Sequence, residues 1–293
     1  MQLGILVEGE EGLTWEQWRR LLAAAEDRGF DSVWISDHLL PASGEDRDGL
    51  DAWLALAVAA ASTRQVALGP LVTPITFRPP AILARMAANL DSLSRGRFVL
   101  GLGLGWNARE HAAYDLPFPP LRERVRLLEA GLATIRRALP SRVPVLIGGM
   151  GRGSLERVAR HADEWNLTTN SPAVYRRLSE TLAGLCQAVG RDPATIRRSV
   201  LVGILVGENR AELARRGDAI RGLVSGFAQV PRGEMERAVR ERGWVAGTPG
   251  EVVTALRELA EAGVDRAMLG HYDVDDTRVL DLIAESILPA LKR

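Results

Sequence analysis

Val66-Ala67-Leu68-Gly69-Pro70-Leu71-Val72-Thr73-Pro74-Ile75-Thr76-Phe77-Arg78-Pro79-Pro80 is the stretch on which the fold turns. Val66–Val72 is a short apolar run of the kind that suits a strand buried on both faces of a parallel sheet. Thr73–Arg78 reads as a loop. Pro79 and Pro80 then open a helix that runs to Leu93, because proline in a first helical turn forfeits no hydrogen bond. The stretch is one strand–loop–helix unit, and the fold follows from how often the chain repeats it.

Upstream, Leu3–Val7 and Ser32–Ile35 read as strands. A helix capped by Thr14, with Gln17 at the capping-box position and Gly29 at its end, follows the first. Asp51–Ser62 is the helix after the second. Downstream, strands are predicted at Phe98–Gly103, Val143–Ile147, Glu164–Leu167, Ser199–Val206 and Arg266–Leu269. Helices are predicted at Leu121–Leu139, up to His161, at Pro172–Val189, Arg210–Arg242, from Gly247-Thr248-Pro249 to Gly263, and at Val279–Leu291. Eight β-then-α units in strict alternation, with no Pro/Gly/Ser-rich linker, predict an α/β fold. That fold is a (β/α)8 TIM barrel forming one domain over residues 1–293. A doubly wound open sheet shares this alternation and stays open as a rival at this point.

Composition narrows the function classes. The 293 residues carry 37 basic and 37 acidic side chains spread along the chain, with 46% hydrophobic and 25% charged residues. No basic tract marks a nucleic-acid footprint, so nucleic acid is not an expected partner. Lys292 is the only lysine, so an anion site must use arginine or backbone N–H groups. Cys186 stands alone in a helical run, which forbids an intrachain disulfide and predicts a small core residue. The apolar run Ala52–Ala61 is too short to span a bilayer, and Met1-Gln2-Leu3 lacks a signal-peptide pattern. A cytoplasmic enzyme without membrane attachment is the expectation. The apolar helix face Leu54–Val58 suits a possible homodimer as well as packing within the chain.

A barrel of this kind carries its chemistry in the loops after the strands. Ser36-Asp37-His38 lies there, and an Asp-His pair can bind a ligand or move protons near neutrality. His111, in Trp106-Asn107-Ala108-Arg109-Glu110-His111, could line a pocket or face solvent. His161 lies near a helix C-terminus, where a structural role fits the dipole. His271 could reach the rim. No metal-ligand spacing and no Gly-x-Ser-x-Gly elbow occur, so neither a metal centre nor a serine hydrolase is expected. Gly101-Leu102-Gly103-Leu104-Gly105 could admit a flat ring or serve close strand packing. Gly148-Gly149-Met150-Gly151-Arg152-Gly153-Ser154 leads into a helix N-terminus, whose free N–H groups and dipole suit an anion.

These landmarks resemble a known family. Glu11-Gly12-Leu13-Thr14-Trp15, Ser36-Asp37-His38 and Leu68-Gly69-Pro70-Leu71-Val72-Thr73-Pro74 come in the family's order. Leu90-Asp91-Ser92-Leu93-Ser94-Arg95-Gly96-Arg97, Leu100-Gly101-Leu102-Gly103-Leu104-Gly105-Trp106 and Pro117-Phe118-Pro119-Pro120 follow, then Ile147-Gly148-Gly149 and Ala162-Asp163-Glu164-Trp165-Asn166. The set resembles the luciferase-like monooxygenase superfamily, especially its branch using coenzyme F420, an 8-hydroxy-5-deazaflavin.

The resemblance implies an oxidoreductase that passes a hydride between F420 and a small organic substrate. FMN with oxygen, or a non-catalytic flavin-binding relative, are the alternatives. His38 is implied as the catalytic residue. Asp37, His38, Leu71, Thr73, Gly105, Trp106 and Asn107 are implied around the ring and substrate, and Gly149, Met150, Gly151, Arg152 and Gly153 around the cofactor phosphate. A non-proline cis peptide behind the ring is implied at Pro70–Leu71. Two departures stand out. Trp106 replaces a glutamate of the deazaflavin-dependent sugar-phosphate dehydrogenases, which argues against their acid/base mechanism. Arg137-Ala138-Leu139-Pro140-Ser141-Arg142 leads almost directly into a strand where relatives insert a longer segment, which implies a more open mouth.

Overall fold

The computed structural model describes residues 1–41, 45–140, 143–224 and 226–292, so Ser141 and Arg142 of the short connection lie outside the described residues. Among the described residues ten strands occur: β1 Gln2–Val7, β2 Ser32–Ile35, β3 Ala67–Pro70, β4 Thr73–Pro74, β5 Leu100–Gly103, β6 Val145–Gly148, β7 Glu164–Thr168, β8 Arg197–Val206, β9 Val245–Gly247 and β10 Arg266–Gly270. Helices α1 Trp15–Asp27, α2 Ala52–Ser62, α3 Pro80–Leu93, α4 Ala108–Ala113, α5 Leu121–Ala138, α6 Arg152–His161, α7 Pro172–Ala188, α8 Arg210–Ile220, α9 Met235–Glu241, α10 Pro249–Glu261, α11 Arg278–Leu282 and α12 Leu288–Leu291 lie between and after them.

The strands pair in parallel in the order β3-β2-β1-β10-β8-β7-β6-β5-β4, with β9 added to β8. The two ends of that order, β3 and β4, are halves of one interrupted strand. Leu68 bridges Phe98, and the Val99 N–H donates to the Leu68 carbonyl at 2.9 Å, which brings the ends together. The sheet thus closes into the expected TIM barrel, and the open doubly wound sheet is ruled out.

Three expectations need correction. The cis peptide joins Leu71 to Val72, one bond later than expected. Pro70 stays in register with Ile35, and the Leu71 N–H still bonds to the Ile35 carbonyl at 2.9 Å, so the strand departs only beyond Leu71. The helix expected over Arg210–Arg242 is two helices, α8 and α9. Gly222, Gly226, Pro231 and Gly233 fall between them, and Gly226 and Gly233 take φ of 80° and 81°, which no helix accommodates. Finally, α4 and the three-residue β9 were not anticipated, being too short for a periodicity to show.

Most of the core lies between the barrel and its helices, and Cys186 is fully buried in it as expected. Inside the barrel, Leu6, Trp34, Val99, Leu146 and Met268 fill the lumen. Trp34 fits because Gly4 and Gly69 face it; a Cβ at either would come within 3.0 Å of its indole. At the N-terminal end of the strands, Arg266 pairs with buried Glu164 at 3.1 Å and lies over the Trp34 ring at 5.5 Å. Thr14 and Gln17 form the predicted capping box, worth about 1 kcal/mol to α1. Among the described residues, no helix is long and apolar enough to cross a membrane.

Candidate active site

At the opposite end of the barrel, the loop after β2 meets the first turn of α4. His38 Nδ1 lies 3.0 Å from Glu110 Oε2, and Glu110 is fully buried while His38 keeps 19% of its side chain exposed. The same carboxylate oxygen accepts from the Leu39 N–H at 3.0 Å. Asn107 caps α4, its Oδ1 accepting from the Arg109 N–H at 3.0 Å, and so holds Glu110 in place. With Nδ1–H donated to Glu110, the tautomer assigned here leaves Nε2 as the free proton acceptor. Burial opposes a charge on His38. The hydrogen bond to Glu110, with the charges of Glu10, Glu110 and Asp37, outweighs it and raises the imidazole above its ordinary value. The exposed Trp106 ring stands edge-on to His38 at 5.4 Å.

Asp37, beside it in sequence, points the other way. It is 1% exposed, and its Oδ2 accepts from Arg78 NH1 at 2.7 Å, Thr73 Oγ1 at 2.7 Å and Trp53 Nε1 at 3.0 Å. Asp37 thereby ties the loop carrying His38 to α2 and to the chain beyond the cis bond. Thr73 is fully buried in that bond network. Gly105 adopts φ of 73°, and its carbonyl accepts from Arg124. Gly101 and Gly103 serve strand packing: a Cβ would come 2.1 Å from the Pro70 carbonyl at the first and 2.6 Å from Val72 at the second.

Next to this pair an apolar trough of about 350 Å³ runs along the ends of β6 and β7, lined by Leu71, Val72, Gly149, Met150, Leu167 and Leu201 among others. Met150 is half exposed. The trough leads to the N-terminus of α6, where Gly151 is the cap residue and no side chain satisfies the first N–H groups. Arg152 stands exposed there, bonded to Glu156 at 3.1 Å. Gly151 and Gly153 leave the approach open, since a Cβ at Gly151 would meet nothing within 4 Å.

Sequence reasoning missed the acids across the mouth. Glu8 follows β1, and burial, together with the Glu10 and Glu11 charges, pushes its carboxyl up to about 7. Glu10 is 6% exposed and accepts from Ser36 Oγ; burial raises it as well. Glu110 was also missed as a site residue. Its one signal was Asn107, a strong cap residue three positions earlier.

The other histidines divide. His111 is fully buried, its Nδ1 bonded to the Asn107 carbonyl and Nε2 to Thr76 Oγ1, both at 2.7 Å, between Phe77 and Phe118. It neither lines the pocket nor faces solvent. His161 ends α6, and burial with the nearby Arg136 and Arg160 charges lowers its pKa. His271 does reach the rim but is buried, which drops its pKa to about 4. Among the described residues, no group of three His, Cys, Asp or Glu could hold a metal ion.

A family model described as luciferase-like monooxygenase matches residues 1–266. The chain is 32% identical to an F420-dependent hydroxymycolic acid dehydrogenase of Mycobacterium tuberculosis, across 96% of this chain and 87% of that protein. It is 26% identical to a 5,10-methylenetetrahydromethanopterin reductase of Archaeoglobus fulgidus, across 92% and 93% of the two chains. Among solved structures, an F420-dependent secondary alcohol dehydrogenase in complex with an F420–acetone adduct superposes with a TM-score of 0.82. It covers 100% of this chain and 99% of its own at 20% identity, a likeness of fold.

Proposed function

The chain belongs to the luciferase-like monooxygenase family, and from that premise we propose that it transfers a hydride between coenzyme F420 and a carbinol or carbonyl carbon of a small organic substrate. It is an F420-dependent oxidoreductase, as two dehydrogenases similar to it in sequence are by name.

The residues present fit the coenzyme. The apolar trough beside Leu71 and Val72 suits a flat ring, and the uncapped N-terminus of α6 at Gly151-Arg152-Gly153 suits a phosphate. Asn107 adds a buried Nδ2 that has no partner among the described residues. Leu71, Gly149 and Met150 would hold the ring, and Gly151, Arg152 and Gly153 the phosphate. Bound F420 would supply the hydride chemistry.

The observation that carries the reading is the His38–Glu110 pair at the mouth of the barrel. Glu110 fixes the imidazole so that Nε2 takes the hydroxyl proton as a carbinol is oxidised, or returns it as a carbonyl is reduced. Buried Glu110 stabilises the imidazolium that forms. The carboxylate missing at Trp106 is thus supplied from Glu110. Trp106 shapes the substrate face, and Asp37, Thr73 and Gly105 position the loops. Exposed Leu54, Ile82 and Leu93 on α2 and α3 suit a homodimer contact.

The test is a fluorescence titration with F420 and, separately, with FMN, followed by anaerobic mixing of the F420-loaded chain with secondary alcohols. Binding of F420 in preference to FMN and loss of its oxidised absorbance on adding alcohol are expected. Preference for FMN, with oxygen consumed, would overturn the reading.

A further inference from the structure

The site described so far uses the side of the mouth near β2, β5 and β6. On the other side, between the ends of β1 and β10, lies a separate cavity of about 130 Å³. Its lining includes Glu8, Glu11, Arg47, His271, Tyr272 and Asp273. Arg47 is the cation of that lining and is already engaged by Glu11 at 3.6 Å. Asp275, also at its edge, is held by Arg20 at 2.7 Å and by Gln17. The carboxylates therefore outnumber the cation, and they crowd one another: burial, then the Asp276 and Asp275 charges, raise Asp273.

Two observations independent of the acids point to a ligand. His271 is 6% exposed, yet its Nε2 has no hydrogen-bond partner among the described residues. A buried imidazole nitrogen left bare costs free energy that a bound donor would recover. Burial, with Arg216 nearby, keeps that ring neutral, so it can present an acceptor. The second observation is Tyr272, an aromatic ring that lines the cavity and is backed by Trp244, stacked on it at 4.7 Å and 11°. A Cβ at Gly203 would lie 2.2 Å from the Trp244 ring, so that glycine leaves room for the ring behind Tyr272. A tyrosine ring beside carboxylates and a neutral imidazole acceptor is suited to an ammonium group.

We infer that this cavity binds the cationic end of the substrate, so that the enzyme selects amino-bearing carbinols or carbonyls and rejects phosphorylated or carboxylated ones. This rests on the hydride-transfer reading for the remainder of the substrate. Glu8 links the two halves: it lines the cavity and interacts electrostatically with His38. A molecule held here by its amine presents its neighbouring carbon toward the histidine.

Three alcohols of matched size separate the charges: 1-amino-2-propanol as the cation, 2-butanol as the neutral and lactate as the anion. Their dissociation constants would be measured by saturation-transfer NMR on the F420-loaded chain. The amine is expected to bind about tenfold more tightly than lactate, the combined worth of a cation–π contact and a partly buried ion pair. Glu11→Gln, which also frees Arg47, is expected to bring lactate level with the amine; Asp273→Asn is a second route to that loss. Lactate binding as well as the amine, or a preference that survives both substitutions, would overturn the proposal. Reduction of F420 by 1-amino-2-propanol is scored separately. Its failure with the amine preference intact sinks hydride transfer and leaves the cation site standing.

Discussion

His38 and Glu110 lie 72 positions apart in sequence and 3.0 Å apart in space, joining the loop after β2 to α4. The pair sets the protonation of the only histidine that keeps a solvent-exposed edge at the mouth among the described residues. Replacing His38 with Ala is expected to lower kcat for alcohol oxidation by about 10²- to 10⁴-fold, the usual worth of a positioned acid or base. F420 affinity should change far less, and stopped-flow reduction beside a binding titration separates the two.

Alcohol oxidation needs neutral His38, so its rate should rise with pH through the imidazole pKa, which lies above the ordinary value. Glu110→Gln removes the hydrogen-bonded anion but leaves the burial that opposes the charge. The midpoint of the pH–rate profile should therefore move to lower pH in that variant. An unmoved midpoint would show that another group controls the profile.

Glu8 provides a pH test of stability. Its carboxyl titrates near 4.5 when unfolded and about 7 when folded, so the folded chain holds the extra proton between those values. Stability is then lost as pH rises from about 4.5 to 7. Glu8→Gln should abolish that slope and, above pH 7, exceed the parent in stability by at most about 3 kcal/mol. Urea melts across that pH range read the difference.

Gly153→Glu would place a carboxylate in the first turn of α6. F420 affinity should fall about three- to fivefold, since a like charge there opposes the phosphate with the strength of a helix-terminus interaction. The deazaflavin riboside lacking phosphate should bind as before. Equal losses for both ligands would remove α6 from the phosphate site.

At the far end of the barrel, Glu164→Gln leaves the buried Arg266 guanidinium without its carboxylate. A loss of about 3–5 kcal/mol is expected, seen as a lower denaturation midpoint at unchanged m-value. F420 affinity should hold, because that end of the barrel is remote from the mouth.

Much of this protein was legible in the chain. Short apolar runs alternating with amphipathic stretches, punctuated by Pro79-Pro80 and by Thr14 with Gln17, specify parallel strands and crossover helices, since those patterns act over a few residues. Position after a strand then marked Asp37, His38 and the Gly148–Ser154 turn as rim residues. Tertiary structure decided what depends on packing between distant segments. It turned Asp37 inward to Arg78, Thr73 and Trp53, and buried His111 against Thr76. It also brought Glu110 under His38 and gathered Glu8, Glu11 and Asp273 around one cavity. A side chain's partners in a closed barrel come from loops tens to hundreds of residues away, and no local pattern encodes their distance, burial or charge.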